Sequence, residues 1–312
     1  MGLIRKPSEL QVQTTIKALL YGQPGIGKTT DALSAPNPVL LDFDNGVHRV
    51  NVLHQTDTLQ VASYNDFLAV LQSGELASYK TIVIDTAGKM LDYMGAWLIQ
   101  NDPKLGQRDG SLSLKGYGAR KTEFIRVLKT ISIMGKHLVF VAHEREEKEG
   151  DQKIIRPEIG GSSAGDLIKE LDLVGYVQAI GKQRTISFDP CEKFYGKNTC
   201  NLPGIINIPR LIDENGAILA QNELLSTIFH TYQANLEKRK EEVKKYNDLL
   251  ALIDQNIAGI TDCVSLNDAT KRLQEFDVIW DSKIQASKKL VAKAAELKCR
   301  FNKETKEYEP AA

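Results

Sequence analysis

The stretch that most constrains this chain is Gly22-Gln23-Pro24-Gly25-Ile26-Gly27-Lys28-Thr29, with Thr30 following it. It fits G-x-x-x-x-G-K-[ST], a loop whose backbone N–H groups wrap nucleotide phosphates. Side chains at the glycines would keep the backbone away from those phosphates. In this pattern Lys28 reaches the β- and γ-phosphates and the Thr29 hydroxyl ligates Mg²⁺. The flanks agree. Ile16 to Tyr21 reads as a buried strand feeding the loop, and Thr29 to Ser34 opens a helix with its N-terminus toward the anion. The residues predict binding of a nucleoside triphosphate.

Further along, Val39 to Asp44 reads as a second strand with two carboxylates, Asp42 and Asp44, at its C-terminal end before Asn45-Gly46 turns the chain. Ligands of open parallel sheets sit outside the carboxyl ends of strands. Either carboxylate is therefore placed to orient the water that attacks the γ-phosphate, or both cap the turn. Tyr64 to Ser73 has helical periodicity. Thr81 to Thr86 is an apolar strand ending in Asp85, about sixty residues beyond the phosphate loop, a spacing that marks Asp85 as the second Mg²⁺-holding residue, opposite Thr29. Met90 to Ile99 and Arg120 to Met134 read as helices, and Lys136 to His143 as a core strand with His143 at its tip, a candidate sensor of the γ-phosphate.

Two stretches read as loops. Residues 101–118 carry Lys104, Arg108, Lys115 and Tyr117; residues 144–165 carry Arg145, Lys153 and Arg156, with a charged hairpin tip first and a small-residue run, Gly160 to Gly165, after it. Asp172–Ile180, Arg184–Phe188 and Lys193–Thr199 read as successive antiparallel strands, and the chain from Asn222 onward as almost wholly helical. Residues 283–306 hold eight basic residues flanked by Trp280, Phe301 and Tyr308, suited either to single-stranded nucleic acid or to an amphipathic helix.

Composition sets bounds. The 312 residues have a formal net charge of 0, so no global field draws the chain to nucleic acid or membrane. No apolar run reaches membrane-spanning length, and the N-terminus lacks a signal-peptide core, so the expectation is a cytoplasmic chain with no membrane partner. The four cysteines form no C-x-x-C pair, which argues against zinc; next to a nucleotide site they read as reduced thiols, with a disulfide as the alternative.

The order of these motifs resembles the RecA-type ATPase core over about residues 15 to 210, and most nearly the short phage ATP-binding proteins that act as RecA-like single-strand annealing recombinases. The resemblance implies an α/β fold with a mostly parallel central sheet flanked by helices, antiparallel strands at one edge and a C-terminal helical extension. It divides the chain into a lead-in (1–14), an ATPase core (15–221) and a helical region (222–312). It implies ATP and Mg²⁺, slow hydrolysis, single-stranded DNA bound on the two loops, and a ring or filament of identical subunits with ATP at their interfaces. A single-strand-binding protein is a further partner candidate. By position Asp44 matches the catalytic carboxylate, His143 the polar sensor, and Lys197 a lysine that reaches the neighbouring subunit's γ-phosphate. The departures are Asp for the usual Glu at 44, His for the common Gln at 143, and Thr199 where a second basic residue often follows Lys197. A RecA-fold switch ATPase with protein partners, or a hexameric helicase, would use the same core.

Overall fold

The computed structural model describes residues 14–150, 152–160, 163–273 and 278–311. Its contacts divide the chain into a unit ending at Gln233 and a C-terminal unit from Ala234 onward. The lead-in, apart from Thr14, and the pair Gly161-Ser162 lie outside the described residues.

In the first unit, β1 (Lys17–Gly22), β2 (Pro38–Asp42), β3 (Thr58–Gln60), β4 (Thr81–Asp85), β5 (His137–Glu149) and β7 (Leu173–Ile180) run parallel in one sheet, with β8 (Gln183–Ser187) and β10 (Ile205–Ile208) antiparallel at one edge. The order is β10-β8-β7-β1-β5-β4-β2-β3. The strand β5 therefore lies between the phosphate-loop strand β1 and the Asp85 strand β4. Pairing brings Asp42 level with Asp85, Asp85 with Val141, and Gly22 with His143, so the candidate residues converge at one end of the sheet. The expected fold class is the one observed.

Strand alternation splits the core between two faces. Leu19, Tyr21, Ile82, Ile84 and Phe140 pack under α2 (Tyr64–Ser73), α3 (Ala87–Asn101) and α4 (Leu114–Ile133). Ala18, Leu20, Val83, Val139 and Val141 face α1 (Lys28–Ala32) and the first turns of α6 (Leu224–Ala258). Because both faces are covered, these strands are continuously apolar. Ser63 closes a capping box with Asp66 at the start of α2, and Gly74 ends that helix in the left-handed region, which is why the expected bounds of α2 hold to the residue.

Elsewhere the structure corrects the sequence. The helix after the phosphate loop has five residues, Lys28 to Ala32. The strand β2 stops at Asp42, because the Asp42 carboxylate accepts N–H bonds from Asp44, Gly46 and Val47 and turns the chain there. The first expected loop is shorter: Ser113 caps α4, so Lys115 and Tyr117 lie on a helix rather than in a loop. The second is an ordered hairpin, with β5 running on to pair with β6 (Gln152–Pro157), so Arg145, Lys153 and Arg156 are strand residues. After it, Ser163 to Gly165 begin α5 (Ser163–Glu170) instead of staying flexible. The third strand expected in the antiparallel series shrinks to β9, Lys197–Asn198. The sequence division at 221/222 precedes the observed one because Leu224, Leu225, Ile228 and Phe229 are buried in the core of the first unit.

The C-terminal unit holds the rest of α6, α7 (Cys263–Arg272), α8 (Ser282–Glu296) and a hairpin of β11 (Cys299–Asn302) with β12 (Glu307–Pro310). The expectation of an almost wholly helical region is thus corrected: Phe301 and Tyr308 belong to strands. Ile260, Leu266, Leu290 and Ala294 form its small core, and α8 buries Ser282, Ala286, Leu290 and Ala294 along one face, as an amphipathic helix does. Cys263 and Cys299 are disulfide-bonded, against the expectation of four reduced thiols. The start of α7 and the start of β11 bring their Cα atoms to 5.8 Å, a proximity that spacing along the chain does not reveal. Cys191 and Cys200 are free. No described helix is long and apolar enough to cross a membrane.

Candidate nucleotide site

The phosphate loop joins β1 to α1 and edges a cleft of about 440 Å³ lined by Gly25, Gly27, Lys28, Thr29, Thr30, Asp44, Asp85 and His143, with Pro24, Arg49 and Val50 also on its wall. Gly27 has φ 96°, and a Cβ there would fall 2.4 Å from Arg184 Nη1. A side chain is excluded both by the backbone conformation and by that neighbour. Gly22, Gln23 and Ile26 belong to the loop without lining the cleft; their carbonyls do the holding instead. Lys28 is buried, and its Nζ donates to the Gly22 carbonyl at 3.0 Å and the Gln23 carbonyl at 2.7 Å. Burial pulls its pKa below the ordinary lysine value, against the raising fields of Asp85, Glu144, Asp31 and Asp44.

Thr29 and Asp85 meet. The Thr29 hydroxyl donates to Asp85 Oδ2 at 2.6 Å, joining the first turn of α1 to the end of β4. Burial raises the Asp85 carboxyl to about 6, a shift the Thr29 bond opposes and the nearby Asp42 and Asp44 reinforce. Two hard oxygens so close, open to a cleft, fit a Mg²⁺ ion that completes its shell with phosphate and water. No cluster of three or more His, Cys, Asp or Glu suited to a metal exists among the described residues, so Mg²⁺ would depend on the phosphates for its remaining ligands.

The two carboxylates after β2 separate in role by geometry. Asp42 is buried and spends its oxygens on three backbone N–H groups. Asp44 reaches the cleft and accepts from Arg49 Nη2 at 2.9 Å. His143, on the strand between β1 and β4, lines the same cleft; its Nδ1 is buried and has no hydrogen-bond partner among the described residues. Burial and then the Lys28 charge hold its pKa below the ordinary imidazole value.

The other predicted residues lie outside this cleft. Lys197 Nζ donates to the carbonyls of Ile168 and Lys169, closing the C-terminal end of α5. Lys104, Arg108 and Lys115 are exposed, and Tyr117 carries the Arg120 guanidinium over its ring at 5.0 Å. The predicted cations of the hairpin meet carboxylates, Arg145 and Arg156 sharing Glu147 and Lys153 pairing with Glu146. Arg156 also lies over the Tyr195 ring.

Sequence reasoning missed Arg184, Asp31 and Arg49. Arg184 reaches from β8 to the Ile26 carbonyl at 2.7 Å and to both oxygens of the buried Asp31, tying the edge of the sheet to the phosphate loop. An aspartate three positions after Lys28 carries no signal of a partner so distant in the chain.

A sequence profile described as an AAA domain matches residues 14–200, more than half of the chain and all of the cleft. No curated protein matches.

Proposed function

The chain belongs to the AAA domain family, an ATPase-type nucleotide-binding class, and from that premise we propose that it binds and hydrolyses ATP with Mg²⁺ in the cleft of Lys28, Thr29, Asp44, Asp85 and His143. One observation carries the reading: residues from the loop after β1, the turn after β2, the end of β4 and the middle of β5, from Pro24 to His143 and so 119 positions apart, line a single cleft at one end of the parallel strands. Lys28 leaves its two carbonyls for the β- and γ-phosphates. Thr29 and Asp85 hold Mg²⁺, which would neutralise phosphate charge when bound. Asp44 orients the attacking water, and His143, on the wall of the cleft, reads the terminal phosphate. Base and ribose extend past Thr30 into an adjoining hollow of about 320 Å³ that shares Gly27, Thr30 and Arg49 with the cleft.

The finer reading is a single-stranded DNA annealing protein working as a RecA-like oligomer. Its support is the motif order and the exposed Lys104, Arg108 and Lys115, whose side chains have no ion-pair partner among the described residues. In such an assembly Lys197 would leave α5 to meet the neighbour's γ-phosphate. The rival is a switch ATPase with protein partners, favoured by the neutralised cations of the hairpin, which leave little charge to attract phosphate. ATPase assays with Mg²⁺ test the common reading; lack of turnover and of ATP binding overturns it. A gel-shift series with single-stranded DNA, with and without ATP and across a salt range, separates the two finer ones. Salt-sensitive shifts support the annealing protein, and no shift at low salt supports the switch.

A further inference from the structure

Arg49 has no part in the P-loop pattern, yet the fold delivers it to the cleft by a dedicated turn. Asp42 gathers the N–H groups of Asp44, Gly46 and Val47, and the chain then makes a single 3-10 turn, Val47–Arg49. Arg49 N–H donates back to the Gly46 carbonyl at 3.0 Å, closing that turn. The guanidinium folds back over Gly46, where an added Cβ would lie 2.4 Å from Nη2. Bare backbone at 46 is therefore the space through which Arg49 reaches Asp44 Oδ2, at 2.9 Å. Among the described residues this is the only side-chain hydrogen bond Arg49 makes, so most of the five donors of its fork are uncommitted. The side chain is 62% exposed, against 24% for Asp44, so Arg49 is the partner free to move.

The pair has a chemical consequence. Arg49 occupies Asp44 Oδ2, while Oδ1 accepts no hydrogen bond among the described residues and can face a water. A terminal phosphate arriving next to Asp44 brings denser negative charge than one carboxylate, with several oxygens that the planar guanidinium fork can bind in pairs. We infer that Arg49 senses the terminal phosphate: its guanidinium rests on Asp44 in the nucleotide-free and diphosphate states and passes donors to the γ-phosphate of a bound triphosphate. The site thereby prefers tri- to diphosphate, and the guanidinium leaves Asp44 only when a γ-phosphate is present. The inference rests on the nucleotide reading above and names a specificity residue within it.

The experiment measures ATP and ADP affinities of the full chain, in Mg²⁺, for the unaltered protein, Arg49→Ala, Arg49→Lys, Asp44→Asn, the double variant Arg49→Ala/Asp44→Asn, and Lys28→Ala. Losing a charge-assisted contact to phosphate predicts about 10- to 100-fold weaker ATP binding in Arg49→Ala, with ADP changed less than about threefold. Arg49→Lys recovers part of the loss, since it keeps the charge without the fork. Asp44→Asn, which frees Arg49, tightens ATP and leaves ADP unchanged, and the double variant departs from additivity. Equal losses for ATP and ADP in Arg49→Ala would make Arg49 a prop for the turn and overturn the inference, as would unchanged ATP affinity. The parent reading is judged separately: it stands if the unaltered chain binds both nucleotides and Lys28→Ala binds neither, whatever Arg49 does. If the unaltered chain binds no nucleotide, both fall.

Discussion

Arg184 and Asp31, 153 positions apart, form a two-pronged ion pair at 2.9 and 3.1 Å that fastens the antiparallel edge of the sheet to the helix of the phosphate loop. The Asp31 side chain is 1% exposed and that of Arg184 22%. Burial raises the Asp31 carboxyl to about 6 even with Arg184 pulling it down. Removing the cation strands a buried charge, which costs more than the pair itself contributes.

Arg184→Leu should therefore cost about 3 kcal/mol or more of stability at pH 8, and it should weaken nucleotide binding because the Ile26 carbonyl loses its anchor. Below about pH 6 the loss should shrink, since protonated Asp31 has no charge to strand. Denaturant midpoints at the two pH values check this. A loss independent of pH would mean that packing, rather than the stranded carboxylate, sets the cost.

Binding and turnover should separate by residue. Lys28→Ala should abolish nucleotide binding, as no other side chain of the loop carries its charge. Asp44→Asn should keep binding while turnover falls by at least about tenfold, the scale of one general-base contribution. Affinity and single-turnover rates distinguish them; loss of affinity in both variants would return Asp44 to the turn-capping role that Asp42 holds.

The His137 side chain gives a pH signature. Its Nδ1 accepts from the Ile16 N–H at 3.0 Å, its ring stacks on Phe229 at 4.6 Å, and burial pushes its pKa down from 6.5 to about 4. The folded value lies below the unfolded one, so its stability contribution is complete above pH 6.5 and is lost as pH falls toward 4. Asp31 and Asp85, both raised to about 6, act in the opposite sense, so the comparison must be with a variant. His137→Asn keeps an acceptor and cannot titrate. Its melting temperature should fall less than that of the unaltered protein between pH 7 and about 4.5; parallel curves would assign the acid loss elsewhere.

Phe229 tests where the first unit ends. Sequence places it in a separable helical region, whereas the structure buries it to 1% exposure among Leu20, Leu225 and Ile228. Phe229→Ala should cost about 3–5 kcal/mol, as for a fully packed aromatic. A cost under about 1 kcal/mol, read from the urea midpoint, would show that the start of α6 is dispensable to the core.

What the sequence determined by itself is local chemistry. The octet ending in Lys28-Thr29, the apolar run ending in Asp85 and the apolar run that reaches His143 within β5 each carry their signal in consecutive residues, because strand burial and phosphate-loop geometry are properties of neighbours along the chain. The mostly parallel sheet was what the resemblance of the motif order implied. Tertiary structure decided the rest. Which of Asp42 and Asp44 faces the cleft depends on which one the following turn consumes as a hydrogen-bond acceptor. Whether residues 144–157 form a loop or a hairpin depends on pairing across it, and the Cys263–Cys299 bond depends on a helix start meeting a strand start. Arg184 and Arg49 had no local mark at all. A guanidinium's role is set by which carboxylate the fold brings within 3 Å, and for Arg184 that partner is 153 positions away.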